Sequence, residues 1–593
     1  MPWVTFINEK TRIEVTAGVS ILEAARSAGL VLETPCGGRG TCGKCGVKIA
    51  RPEQLAHISS GGHAVSGTGA NRDFVPACQS CIHGDIEVQI QDYAEANRSL
   101  RILTAGEDFS CPNSPYITKR PAGAYTEVYG GGRFLGKEPG NTPGLIYGAA
   151  IDIGTTTIVS SLVDLATGEK IAAASRLNPQ AAYAQDVLSR ILFCRTDKGL
   201  ETLHGIFIEA LTAMISAMAA EAGVRTEHIY ELVYSGNTAM LHLACGIDPL
   251  SLGQYPFTPR LWGGNQIPAG GLGISGFGCV YIPPIISAYV GADITAGILV
   301  SRLDEVPGTT VFIDVGTNGE LVLARNGRLA AASTAAGPAF EGMNISCGMR
   351  ASRGALESFR INADGECSYQ VIGGGETGEQ GEAGEVLGIC GSGLLDITGE
   401  LVRTGVIGAS GRFSGREQEG GALHKRLGTK DGKNAFFITP KVCLTQQDVR
   451  QLQLAKGAIR AGIETLLAHF HISAADVDTV RIAGAFGYHL NEESLINTGL
   501  LPPAFRGKVE FAGNTSLSGA AAFLLNTGLR EKMERLVKNV DTVDLAKDPR
   551  FETFFIRYLD FDPEESAGDG LTSPIVKNHN SREVVQRPEL PDN

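Results

Sequence analysis

Ile151-Asp152-Ile153-Gly154-Thr155-Thr156-Thr157 and Ile313-Asp314-Val315-Gly316-Thr317-Asn318-Gly319 are two copies of one pattern, apolar-Asp-apolar-Gly-Thr, each following a strand-like apolar run. A β-strand would deliver each aspartate to its end, and the glycine would permit a tight turn whose N–H groups face a phosphate. The threonine hydroxyls add donors. Asp152 and Asp314 would then sit where a hydrated Mg²⁺ bridges them to the β- and γ-phosphates of a nucleotide, because Mg²⁺ keeps several waters and takes few carboxylates. One copy alone reads as an ordinary strand and turn. Two copies predict duplicated half-domains facing one cleft. No Gly-x-x-x-x-Gly-Lys-Ser/Thr occurs, which excludes a P-loop at the level of motif.

Around these copies, from Leu145 to Phe561, β-rich runs alternate with longer helical ones such as Leu203–Ala222 and Thr445–Phe470, the pattern of an α/β domain. Upstream, Trp3–Ile7 and Arg12–Val15 read as a hairpin, and Ser20 with Glu23 has capping-box spacing at the start of a short helix that Gly29 ends. Ile86–Ile90 closes this first unit. The expected division is 1–95 as one domain, 96–144 as a Gly- and Pro-bearing linker or small connecting region, 145–561 as the α/β domain, and 562–593 as a polar tail. The tail is too poor in apolar residues to offset the entropy of ordering it alone.

The first domain carries Cys36-x5-Cys42-x2-Cys45 in a loop rich in glycine, with Cys78 downstream. This three-plus-one arrangement is that of a ferredoxin [2Fe-2S] site, with a first gap one residue longer than the plant-type spacing. Thiolates suit iron, and Gly37, Gly38, Gly40, Gly43 and Gly46 let backbone N–H groups approach the sulfurs. A structural zinc site is the competing reading, because Cys78 and Cys81 make a second C-x2-C. Cys81 also competes with Cys78 as fourth ligand. The remaining cysteines are scattered and carry no ligand role here, although Cys347 and Cys390 lie in Gly/Ser-rich loops. An odd total of 13 cysteines argues against a disulfide framework.

Apolar residues make up 43% and charged residues 19% of the 593-residue chain, as in ordinary globular proteins, and the length predicts more than one domain. A net charge of −13 disfavours nonspecific attraction to nucleic acid or anionic membrane. The apolar stretch Gly276–Val300 is interrupted by Pro283, Pro284 and Asp293, so no membrane span is expected. The start lacks the pattern of a secretory signal, and the expected compartment is the cytoplasm.

The paired segments resemble the phosphate-1 and phosphate-2 loops of the acetate kinase, sugar kinase, Hsp70 and actin superfamily. Arg481-Ile-Ala-Gly484-Ala485-Phe486-Gly487 resembles its adenosine loop, and Tyr289–Asp293 and Ser518–Ala522 stand in the chain order of its two connecting helices, where small residues allow a close crossing. Joined to an N-terminal ferredoxin module, these features are similar to the reductive activators of corrinoid-dependent enzymes. Asn178-Pro-Gln180, Ser235–Met240, Ser333–Gly342, Asn344–Arg350 and Gly388–Gly393 add to that resemblance.

The resemblance implies a β-grasp ferredoxin-like domain, a linker and a two-lobed, actin-like ATPase domain. It implies an ATP-hydrolysing activase that reduces the Co(II) of a corrinoid protein in a methyltransferase system to Co(I) by one electron. The cofactors are then a [2Fe-2S] cluster, ATP and Mg²⁺, and an upstream low-potential donor refills the cluster. Asp293 resembles the position that orders water or activates a hydroxyl, beside the reading of a structural carboxylate. Ser346 is a candidate oxygen ligand to the partner's cobalt, beside the reading of a turn serine. The ferredoxin domain is expected to swing on residues 96–144, and a homodimer is the default oligomer. The alternative function is a metabolite kinase or ATPase with a redox-sensing ferredoxin.

Overall fold

The computed structural model describes residues 1–30, 32, 38, 40, 45–60, 63–64, 74–90, 109–316, 318–377, 385–414, 422–484 and 490–561. At the N-terminus, strands Trp3–Phe6 and Thr11–Glu14 form the expected hairpin. Trp3–Phe6 also runs parallel to Ile86–Ile90, so the first and last strands of the unit lie side by side in a sheet completed by Gly46–Ile49 and Phe74–Pro76. Helix Ile21–Ser27 starts with the capping box read from Ser20 and Glu23. Its Ile21, Leu22, Ala24 and Ala25 are buried with Val4, Phe6, Val47 and Val88. Sheet and covering helix make the β-grasp arrangement.

Of the stretch 96–144, residues 109–144 are described, and they are not a weakly structured connection. Ile117–Ala122, Tyr125–Gly130 and Arg133–Pro139 form an antiparallel sheet. Gly131 and Gly132, both with positive φ, make the hairpin turn between the last two strands. Glycines that look like linker composition are turn residues here, while alternate positions Thr126, Val128 and Gly130 are buried. Ile117 and Val128 belong to the core of the next domain, so this part of the segment cannot act as a free pivot.

The rest of the chain forms two lobes built alike. In the first, the sheet runs in the order 170–177, 157–164, 147–153, 229–236, 279–282, 265–268. In the second it runs 509–513, 479–483, 309–315, 319–325, 328–334, 541–542. Each has one central strand that pairs antiparallel with its successor and parallel with a distant strand. Tyr147–Ile153 pairs Thr157–Asp164 and Ile229–Gly236, whereas Thr309–Val315 pairs Gly319–Arg325 and Thr479–Ala483. The repeated pattern thus lies at the same place in both sheets.

Helices Ala292–Val300 and Thr515–Leu525 cross between the lobes. A Cβ at Gly519 would fall 2.4 Å from Cβ of Ala296, and one at Gly297 would fall 2.5 Å from the Phe312 ring, so small residues permit this approach. The first of these helices begins at Ala292, at the end of the segment Tyr289–Asp293. Helix Gly199–Ala222 is long and apolar enough to cross a membrane. Its Leu203, Phe207, Leu211, Met214 and Met218 are instead buried in the first lobe's core. Helix Gln446–His469 opens with a capping box between Thr445 and Asp448 and packs in the second lobe's core. The expected polar tail, 562–593, lies outside the described residues.

Candidate functional site

One cleft between the lobes collects most of the residues singled out in sequence. Asp152, Gly154, Thr155, Thr156, Thr157, Asp293, Asp314, Gly316, Asn318 and Gly484 all line it. Gly319 does not; a Cβ there would come 2.9 Å from Ile459, so it serves packing at the start of its strand. Thr317, Ala485, Phe486 and Gly487 lie outside the described residues.

The first turn is fastened from behind. Gly154 N–H donates to the Thr157 carbonyl at 2.9 Å, a contact that a Cβ at Gly154 would obstruct at 2.7 Å. Asn178 donates from Nδ2 to the Gly154 carbonyl and from its backbone N–H to the Thr156 carbonyl, both at 2.8 Å. Arg190, wholly buried, donates from Nη2 to the Thr155 carbonyl at 2.5 Å, from Nε to the Ala184 carbonyl and from Nη1 to Gln180 Oε1. Three carbonyls that would repel a phosphate are thereby occupied. Asn237, which also caps helix Thr238–Ala244, donates to Thr155 Oγ1 at 3.2 Å and fixes that hydroxyl.

The carboxylates meet from three directions. Asp152 accepts from Asn514 Nδ2 at 2.9 Å and Ser516 Oγ at 2.7 Å. Asn514 simultaneously caps the crossing helix by accepting from Leu517 N–H, so one side chain ties the helix start to the aspartate. Burial raises the Asp152 pKa, and the two donors oppose that rise. Asp314 is pushed up to about 7, first by burial and then by Asp152. Asp293, in the first turn of its helix, is pushed up to about 8 by burial and by Asp314, with Asp152 adding to it. Glu320 is raised well above the usual range by burial and by Asp293 and Asp314. Mutually repelling carboxylate oxygens lining one cleft are donors of the kind a hard divalent cation takes. Gly484, with φ +96°, brings backbone against Asp314: a Cβ there would lie 2.6 Å from Oδ1.

The lobes touch across the cleft where Thr156 Oγ1 donates to Glu341 Oε2 at 3.1 Å. Ser346 is not among the lining residues. Its hydroxyl donates to Asp448 Oδ1 at 3.0 Å and contacts Thr445 Oγ1, and its N–H donates to the same carboxylate, so it fastens its loop to the start of the long helix. Met349 and Arg350 of that loop do reach the cleft.

In the N-terminal domain the described ligand candidates come together: Cys45 and Cys78 sulfurs lie 3.2 Å apart. Cys81 sits in strand Ser80–Ile82, opposite Ser59 in the ladder and bridged to Ser20. Gly38 and Gly40 have positive φ; a Cβ on Gly38 would come 2.9 Å from Leu22, and the Gly40 carbonyl accepts from Gln79. Close-packed glycine backbone beside paired thiols fits a thiolate-ligated cluster. Cys36 and Cys42 lie outside the described residues. This domain reaches the first lobe through Arg26 Nε, which donates to the Ala182 carbonyl at 2.8 Å.

Sequence reading missed Arg190, Glu320, Asn514 and Ser516 as site residues. Asn237, Glu341 and the Cys390–Ser392 stretch, which also line the cleft, stood inside segments noted for resemblance without an assigned role.

Comparisons with known proteins agree across most of the length. Residues 5–83 match the 2Fe-2S iron-sulfur cluster binding domain family, 147–306 the RACo middle region, and 308–567 the C-terminal domain of RACo, its ASKHA domain. Corrinoid activation enzyme RamQ of Eubacterium limosum is 30% identical over 92% of this chain and 97% of its own. The [Co(II) methylated amine-specific corrinoid protein] reductase of Methanosarcina barkeri is 27% identical over 70% of this chain and 77% of its own. A solved structure of a reductive activator for corrinoid, iron–sulfur protein aligns with a TM-score of 0.67 at 29% identity, over 94% of this chain and 98% of that one.

Proposed function

The chain belongs to the RACo family of corrinoid activators, and from that premise we propose that it couples ATP hydrolysis to one-electron reduction of Co(II) to Co(I) in a corrinoid protein of a methyltransferase system. The observation that carries the ATP part is the convergence of Asp152, Asp293 and Asp314 on one cleft between two related lobes. Asp152 and Asp314 would hold a hydrated Mg²⁺, which when bound supplies charge neutralisation at the β- and γ-phosphates. Thr155 to Thr157 and the turn from Gly316 to Asn318 cradle the phosphates, and Gly484 to Gly487 receive the adenosine. Asp293, in the first turn of its helix and lining the same cleft as Asp152 and Asp314, orders the attacking water.

Cys36, Cys42, Cys45 and Cys78 would hold a [2Fe-2S] cluster, which when bound supplies a low-potential one-electron carrier. The contact of Cys45 with Cys78 supports this choice of fourth ligand. Cys78→Ser is expected to abolish the visible spectrum of the cluster and Cys81→Ser to keep it; the reverse pattern overturns the assignment.

An all-cysteine centre of this kind lies near −400 mV, and each 100 mV of uphill transfer costs about 2.3 kcal/mol per electron. Nucleotide offsets such a cost only through the different affinities of the protein's states for the partner's two redox forms. Closure of the lobes around nucleotide is the proposed coupling element, and the Thr156–Glu341 contact is where the lobes already meet. An upstream low-potential donor, a cytoplasmic setting and a homodimer complete the reading.

The deciding experiment is anaerobic incubation of the reduced protein with Co(II) corrinoid proteins, with and without ATP, followed by the cobalt absorption spectrum. Co(I) is expected only with ATP. Its absence with every partner, or formation without ATP, overturns the proposal.

A further inference from the structure

Most thiols of the ATPase domain are inert by environment. Burial pushes Cys194 up to about 11 and Cys245 and Cys279 up to about 12, and it raises Cys111 and Cys390. Cys347 and Cys443 differ. Cys347 follows Ser346 in the loop that ends at cleft-lining Met349 and Arg350, and it is half-buried. Cys443, buried, begins the strand Cys443–Thr445 that leads into the long helix. The two residues lie together across nearly a hundred residues of chain, the Cys443 backbone approaching the Cys347 sulfur. Lys430, at the end of strand Leu427–Lys430, donates from Nζ to Cys347 Sγ at 3.2 Å, and the Cys443 N–H reaches the same sulfur at 3.5 Å.

Two donors on one sulfur, an ammonium and a backbone N–H, favour a thiolate. The Cys443 side chain is the largest influence and Lys430 acts in the same sense, so that Cys347 is lowered to about 5 while Cys443 is raised. A half-buried thiolate beside an ammonium is an effective nucleophile, and a buried thiol in contact with it is placed to resolve what the first one forms.

We propose that Cys347 and Cys443 are a reversible thiol-oxidation site, with low-molecular-weight disulfides as the oxidant, that fastens the cleft-lining loop to the start of the long helix. Cys347 Sγ attacks one sulfur of the small disulfide and breaks its S–S bond, and the first small thiolate leaves and takes up a proton. Cys443 then attacks Cys347 Sγ, gives up its own proton, and expels the second small thiol. Two protein thiols are oxidised to one disulfide and one small disulfide is reduced to two thiols. Ser346 is already hydrogen-bonded to Asp448 and Thr445 at the same junction. The new bond therefore adds a covalent tie beside a polar one and holds Met349 and Arg350, two and three residues further on. The site goes beyond the corrinoid reading, and its first test needs neither ATP nor a corrinoid.

The holoprotein is incubated anaerobically with oxidised glutathione, quenched with N-ethylmaleimide and mapped by mass spectrometry without reductant. A Cys347–Cys443 linked peptide pair, lost after dithiothreitol, is expected. Cys443→Ala should stop at the Cys347–glutathione adduct, and Lys430→Gln should slow alkylation of Cys347 about tenfold. Recovery of both thiols fully alkylated from the oxidised wild-type protein, or alkylation of Cys347 no faster than of Cys194, overturns the site. The linked protein should also show a raised KM for ATP that dithiothreitol restores; an unchanged KM overturns the coupling to the cleft.

Discussion

The two Asp-x-Gly-Thr turns share a pattern and a place at the ends of matching strands, yet they are held in opposite ways. The first is prepared by neutral and cationic donors: Asn178 and Arg190 occupy its carbonyls, Asn237 its threonine, and Asn514 and Ser516 its aspartate. The second concentrates charge, for Asp314 faces Asp152, Asp293 and Glu320, and burial drives all of them toward their neutral forms. In the proposed reading the first lobe therefore offers a seat already shaped for phosphate, and the second a surplus of negative charge that a cation would relieve. Duplication supplied the frame, and divergence assigned one copy to shape and the other to charge.

The largest effect that would break this comparison comes from neutralising the charge. Asp314→Asn should lower ATPase turnover by about 10²-fold or more, while raising the melting temperature of the nucleotide-free protein, because it removes a buried repulsion. A variant that loses activity and stability together would show that Asp314 is structural. Next comes the seat. Arg190→Lys keeps a cation but cannot make the three-way fork, and should raise the KM for ATP about 10- to 100-fold; the ferredoxin spectrum should not change. An unaltered KM would mean the first turn needs no support from behind.

The third prediction concerns a buried cation in the second lobe. Lys456 donates to the Asp560 carbonyl and lies over the Phe561 ring, and burial, then Arg460, lowers it from 10.5 to about 7. Between those two values the unfolded lysine holds a proton that the folded one has released, so stability should rise with pH from about 7 toward 10 and be lost as pH falls through 7. The slope approaches 1.4 kcal/mol per pH unit at most. Lys456→Met should flatten the difference in denaturation midpoint between pH 7 and pH 9; a persisting difference would assign it to other groups. The smallest effect is expected at the contact between lobes. Thr156→Val removes the hydrogen bond to Glu341, worth about 1 kcal/mol, and should weaken nucleotide binding several-fold without altering the melting of the apo protein by more than a degree or so.

Much of the frame was legible because its signals are local. The repeated strand and turn, the capping box at Ser20/Glu23, and the small residues of the crossing helices all act over a few positions. The support of the site was not, because it comes from far along the chain. Asn514 and Ser516 reach Asp152 from more than 360 residues away, and Arg190 looks in sequence like any basic residue of a short amphipathic helix. The segment 117–139 reads in sequence as either a linker or a small connecting region for a related reason. Its Gly130-Gly131-Gly132 is equally the composition of a linker and of a hairpin turn, and what decides between them is Ile117 and Val128 entering a core that only the folded domain supplies.

The meeting of Gly519 with Ala296 has a mechanical consequence. Where two helices touch through a glycine and a methyl group, with no room for another carbon, sliding one along the other would drive each into its neighbour's bulkier positions, whereas turning about the contact moves few atoms. In the closure proposed above the lobes would turn here like two leaves on a pin. A few degrees of rotation at the pin becomes ångströms of travel at the rim, and the distance from the pin sets the gain.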